Sequence, residues 1–193
     1  KRGGWEVVDA VEQLRTALDG GVTNKSTYIL AAEASRVIVN KQRAVEILHE
    51  GLAHYPDDIN LLNNLAYTLS QMPEETGEAL KLAPRLEEVA VGNVAVMDTL
   101  ALVSVRAGEL DKGEKTARKI LLKVQPETPA WFHARLPLAE IAMENEKITD
   151  AMNILRDILK STRGISEEDL FAANSLLTRA RMRLADEEKK KGK

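Results

Sequence analysis

Between Tyr28 and Pro56 apolar residues recur three or four apart in two runs, one on each side of Asn40. That spacing predicts two helices, each buried along one face, joined by a tight αα-hairpin turn. Two small residues, Ala32 and Ala44, sit twelve apart, one in each run. A small side chain on each helix lets two antiparallel helices approach closely. Pro56 then stops the second helix, because it has no backbone N–H to donate.

The pattern repeats along the chain. The first small position is Ala32, Ala66, Ala101, Ala139 and Ala173, in steps of 34, 35, 38 and 34 residues. The second is Ala10, Ala44, Ala79, Gly113 and Ala151, in steps of 34, 35, 34 and 38. Four and seven residues after the second position stand Leu14/Ala17, Leu48/Gly51, Ala83/Leu86, Ala117/Ile120 and Leu155/Ile158. A period near 34 with this order of small and apolar positions resembles the tetratricopeptide repeat (TPR), a helix–turn–helix unit. The resemblance covers nearly the whole chain. It implies an all-α, right-handed αα-hairpin superhelix, a TPR-like solenoid in which each hairpin packs on its neighbours. The expected organisation is a single repeat domain over residues 1–193: a half-repeat at 4–21, hairpins at about 25–56, 57–92, 93–125 and 127–164, and a capping helix at 166–190.

Punctuation supports these bounds. Residues 5–18 read as an amphipathic helix closed by Gly20 and Gly21. It is either an N-terminal cap or the second helix of a longer array, the latter favoured by Trp5, Val7 and Val8. Asp57 and Asp58 suit a helix N-terminus through capping and the helix dipole. The turn PEETGE is one residue longer than its counterparts, which accounts for the step of 35. Gly92 closes a helix, and Gly108 is expected as a left-handed C-cap. Gly113 in place of alanine should cost about 1 kcal/mol of helix stability.

The fourth unit carries four extra residues and the prolines 129 and 137. Pro129 fits a first helical turn, whereas Pro137 should kink or restart the helix, making 127–145 long or broken. Ser166 and Asp169 form a capping box before the last helix. There Leu170, Ala173, Leu176, Leu177, Ala180 and Leu184 make one buried stripe under a charged outer face. The tail ADEEKKKGK is expected to fray.

Composition narrows the chemistry. The 193 residues are 44% hydrophobic but only 4% aromatic, so the core must be built from Leu, Ala, Val and Ile. The net charge of −3, with both signs interspersed, gives no broad footprint for nucleic acid. The absence of cysteine excludes disulfides and cysteine metal sites, and leaves both cytoplasm and periplasm open. No apolar run approaches a membrane span. His49-Glu50 with His54 has the look of a zinc motif, but a five-residue spacing turns the second histidine about 140° away. The Lys189–Lys191 run is offset by Asp186, Glu187 and Glu188. No phosphate loop, nucleophile elbow or acid–base pair in recognisable context is present, so no catalytic residue, metal or cofactor is expected.

What remains is a binding surface. The resemblance implies that first helices line the concave groove, and that positions at fixed offsets from the first small residue look inward. In this chain these include Ile29, Glu33 and Arg36; Asn60, Asn63, Tyr67 and Gln71; Asp98, Leu102 and Arg106; and His133 and Glu140. One TPR subclass clamps a C-terminal carboxylate. Asn64 matches one clamp position, but Ile29, Glu33, Ala95 and Thr99 stand where its other asparagine, lysines and arginine belong, which argues against a clamp. The expected function is a non-enzymatic protein-interaction module taking a peptide or partner helix in the groove, with self-association open. The alternative is a structural spacer or self-assembly segment of a larger bacterial, envelope-associated protein.

Overall fold

The structure is a computed structural model that describes residues 9, 12–14, 16–18, 20–21, 24–37, 40–89, 92–160 and 165–191. It is all-α, and among the described residues there is no strand. The chain divides into two compact units, residues 1–91 and 92–193.

The first unit contains two hairpins. Helices α1 (Lys25–Val37) and α2 (Lys41–His54) form one; α3 (Ile59–Ser70) and α4 (Thr76–Val89) form the other, joined by a 3₁₀ turn at Pro73–Glu75. The expected turn is therefore shorter than the sequence suggested, since Thr76 to Glu78 already belong to α4. Residues 9, 12–14 and 16–18 are helical, and Gly21 closes them at φ 85°. Trp5, Val7, Val8 and Ala10 lie outside the described residues.

The caps follow side-chain chemistry. Asn40 Oδ1 accepts from the Arg43 N–H at 3.0 Å, and Asp58 Oδ1 accepts from Asn60 and Leu61 at 3.0 and 3.1 Å. Such caps contribute about 1 kcal/mol each. Asp58 also takes Lys25 Nζ at 3.0 Å, tying the start of α1 to the start of α3. Burial opposes its ionisation. The Lys25 bond and the backbone donors outweigh that and hold its carboxyl below the usual range.

The second unit holds α5 (Val94–Arg106) with α6 (Leu110–Leu121), α7 (Pro129–Glu144) with α8 (Ile148–Lys160), and α9 (Glu167–Lys191). Asn93 caps α5 and Thr128 caps α7. Gly108 adopts the expected left-handed conformation at φ 83°. α7 is long, at 16 residues, as the surplus required. It runs unbroken through Pro137, which is buried, so the helix does not restart there. Pro84 likewise lies within α4, a position the sequence reading passed over. The end of α8's expected run, at residues 161–164, lies outside the described residues. α9 continues as helix to Lys191, where fraying was expected.

The small anchors among the described residues are buried: Ala32, Ala66, Ala101, Ala139 and Ala173 of the first set, and Ala44, Ala79, Gly113 and Ala151 of the second. Within each unit successive hairpins join through their first helices, α1 on α3 and α5 on α7, with each second helix packed on the first helix that follows. α9 docks on α8 and α7. Phe132, Met143, Leu155, Ile158, Leu176 and Leu177 fill the core there.

Gly113 proves to be more than a weak helix residue. A Cβ at that position would overlap Val105 Cγ2 and lie 3.1 Å from the Ala101 carbonyl oxygen. Helix propensity alone says Gly113→Ala should stabilise by about 1 kcal/mol. Overpacking against a β-branched side chain costs about 1–3 kcal/mol, and here it wins. Gly113→Ala is expected to lower the melting temperature; a higher one would show that α5 and α6 have room to separate.

Candidate functional site

In the first unit the residues expected to line the groove lie on α1 and α3 and at the end of α3. The Arg36 guanidinium lies 4.9 Å from the centre of the Tyr67 ring, a cation–π contact that fixes both side chains. Asn60 is exposed beside them, while Ile29, Glu33, Asn63 and Gln71 are half-buried. Lys41 Nζ donates to the Gln71 carbonyl at 3.2 Å and closes the end of the row. The Asn63 Oδ1 atom is buried and has no hydrogen-bond partner. An unpartnered buried carbonyl costs about 1–3 kcal/mol.

In the second unit the same positions are spent on one another. His133 of α7 stands between two carboxylates, with Nδ1 3.1 Å from Asp98 Oδ2 on α5 and Nε2 2.9 Å from Asp169 Oδ2 on α9. Burial works against the imidazolium, but the bonds to Asp169 and Asp98 and their charges prevail and push its pKa up to about 10. Burial raises the Asp98 carboxyl, with His133 opposing and the Asp169 charge reinforcing it. Asp169 is held low: burial opposes, but His133 and the Ser166 hydroxyl, which donates at 2.6 Å, stabilise its charge.

With both ring nitrogens donating, His133 has no lone pair for a proton or a metal. It is a structural cation that fastens three helices. Arg106 Nη2 meets Glu140 Oε1 at 3.2 Å, a second bond between α5 and α7. Leu102 sits half-buried on the same face of α5. Arg183 of α9 donates to the Met143 carbonyl at 3.0 Å, extending the ties from α7 to α9.

From sequence alone Asp98 and His133 are separate groove residues and Asp169 is a cap. Asp169 does close the capping box, since its N–H donates to Ser166 Oγ at 3.1 Å. Its second role follows from the repeat. His133 and Asp169 are 36 residues apart, and Arg106 and Glu140 are 34 apart, so complementary charges one period apart were the available signal. His49 and His54 do not converge: His49 Nε2 lies 3.3 Å from Glu78, and His54 stacks on Tyr28 at 5.9 Å. Among the described residues no set of three potential ligands is arranged to hold a metal ion. No helix among them is long and apolar enough to cross a membrane.

Paired helices with small residues at the crossings, repeated at 34 to 38 residues and joined through their first helices, define an αα-hairpin repeat fold. It is the tetratricopeptide-repeat fold. Three solved structures share it: MamA (41-end) from Desulfovibrio magneticus RS-1, TTC0263, a thermophilic TPR protein in Thermus thermophilus, and PilW, a type IV pilus biogenesis factor. The TM-scores are 0.61, 0.66 and 0.63 at identities of 16%, 17% and 17%. The matches cover 84%, 89% and 94% of this chain and 88%, 91% and 86% of those. In sequence the chain is similar to the TPR repeat-containing protein PA4667 of Pseudomonas aeruginosa, at 24% identity over 49% of this chain. The chain spans only 22% of that relative's length. No family model matches.

Proposed function

We propose that the chain is a non-enzymatic protein-interaction module and that the α1–α3 face of the first unit receives an extended peptide segment. The observation that carries this reading is the contrast between the two units. In the second, Asp98 pairs with His133 and Arg106 with Glu140, so these polar groups satisfy one another. In the first, Asn60 is exposed and Asn63 holds an unpartnered amide oxygen, next to a Tyr67 ring held by Arg36. Amides match the alternating donors and acceptors of a peptide backbone, and tyrosine adds apolar contact with a polar tip. A half-turn of the Asn63 amide would bring its stranded oxygen out of the interior, where a ligand N–H could donate to it. The solved relatives support a scaffold role through their fold alone.

Affinity should be modest and set by hydrogen bonds and shape, because the face carries both Glu33 and Arg36. Against a partner recovered from the native source, Asn63→Ala with Tyr67→Ala is expected to weaken binding at least tenfold, about 1.4 kcal/mol. Glu46→Ala and Lys119→Ala, on second helices, should leave it unchanged. Loss through the second-helix changes alone would favour a structural role for the array.

A further inference from the structure

Lys25 meets Asp58 at the start of α1 and α3, and Arg36 meets the Tyr67 ring near their ends. The two helices therefore run in the same direction, side by side, with a furrow between them. Eleven residues separate Lys25 from Arg36. That is about 16 Å of helix, the length of about five residues of extended chain. Asn60 and Asn63 stand along the α3 side, and Ile29 and Glu33 along the α1 side.

Charge is distributed unevenly along this furrow. α3 has no charged side chain. α1 has three: Lys25 is engaged by Asp58, Glu33 lies midway, and the half-buried Arg36 stands at the far end. Lys41 Nζ sits at that same end, 3.2 Å from the Gln71 carbonyl, so two cations gather there. On the first helices of the second unit, Arg106 and Arg135 each reach a carboxylate, Glu140 at 3.2 Å and Asp157 at 3.4 Å. Arg36 pairs with no carboxylate among the described residues, although Glu33 stands three residues away on its own helix, a spacing that permits a pair. It lies over Tyr67 instead. Stacking occupies the flat face of the guanidinium and leaves the N–H groups at its edge for an acceptor.

We infer, on the reading that this face takes an extended peptide, that the peptide presents an acidic side chain to Arg36. A carboxylate in the plane of the stacked guanidinium accepts two parallel N–H bonds, a geometry an ammonium group does not offer. Because the Tyr67 ring already holds the guanidinium, little side-chain freedom is lost when the acid docks. Glu33, one turn back along α1, repels an acid placed elsewhere in the furrow. The charge therefore sets the register of the peptide against the Asn60 and Asn63 amides. Its effect is on selectivity more than on attraction, since Glu33 offsets Arg36 at a distance.

The test uses the 193-residue chain and short synthetic peptides of serine and threonine, blocked at both ends, with glutamate, glutamine or lysine at the centre. A further glutamine peptide keeps a free C-terminal carboxylate. Titrations into the isotope-labelled chain are followed by NMR at the Arg36 side-chain N–H and the Asn60 and Asn63 amides. The glutamate peptide should bind about fivefold more tightly than the glutamine peptide, the strength of one well-aligned ion pair, and the lysine peptide most weakly. Arg36→Gln should erase that preference, and Arg36→Glu should transfer it to lysine. Thermal melts check that both variants fold, and the comparison of peptides on the wild type stands without them. Equal binding of the glutamate and glutamine peptides, with shifts on α1 and α3, would overturn this inference and leave the peptide reading in place. No shift on α1 or α3 with any peptide would overturn both. A preference that survives in both variants would place the receptor of the acid elsewhere, and tightest binding by the peptide with the free terminus would make the ligand a chain end; either overturns the assignment to Arg36 and a side-chain acid.

Discussion

Replacing His133 with leucine should destabilise the second unit at neutral pH and remove most of its alkaline sensitivity. The imidazolium is shared by Asp98 and Asp169, and its pKa stands at about 10 against 6.5 unperturbed. A raised folded-state pKa means the stabilisation is complete below pH 6.5 and drains away as pH climbs toward 10. At face value such a shift would be worth several kcal/mol. The His133 side chain is 37% exposed, however, and water screens it, so about 1–2 kcal/mol is the expected share. His133→Leu adds a further penalty, because it strands Asp98, whose carboxylate is already disfavoured by burial. The combined loss at pH 6 should be about 2–3 kcal/mol. Denaturant melts between pH 6 and pH 10 check this: the wild type should lose stability across that window and the variant should be nearly flat. Parallel losses in both would place the titrating group elsewhere.

Ala66→Leu should cost about 1–3 kcal/mol, and Ala101→Leu as much. Both alanines are fully buried on first helices, at the positions where the repeat calls for a small side chain. Three extra heavy atoms must be fitted among neighbours such as Leu65 and Leu69, also fully buried, so the helices must move apart and loosen them. Interior packing tolerates such insertions poorly. Thermal melts of both variants are the measurement, and unchanged midpoints would break the repeat register.

The hairpin fold was legible because it rests on local spacing. Ala32, Ala66, Ala101 and Ala139 mark the buried crossings without any knowledge of the partner helix. The caps were legible too, since Asp58 and Ser166 act on N–H groups two or three residues away. What escaped depends on neighbours a full period distant. Whether Gly113 is a weak point or a necessity turns on Val105, which only the hairpin brings close. Pro137 was expected to kink or restart its helix and to leave it long or broken; α7 is long and unbroken, with Pro137 buried inside it, where tertiary packing outweighs one lost backbone bond. His133 looked available for a ligand until Asp98 and Asp169 arrived from two other helices. The inward side of α9 was legible as well, since Ala173, Leu176, Leu177 and Ala180 are buried as their spacing requires, which leaves Phe171 on the outward side.

Site-specific photo-cross-linking tests the central functional claim most directly. A benzophenone side chain placed at Asn60, at the edge of the α1–α3 face, is compared with one at Glu46 on α2; both positions are exposed and should tolerate it. In an extract of the native source, the Asn60 probe should label a discrete partner, and an excess of unmodified chain should compete that labelling away. The Glu46 probe should not label that partner. Labelling of the same partner from Glu46, with none from Asn60, would contradict the assignment of binding to the first helices.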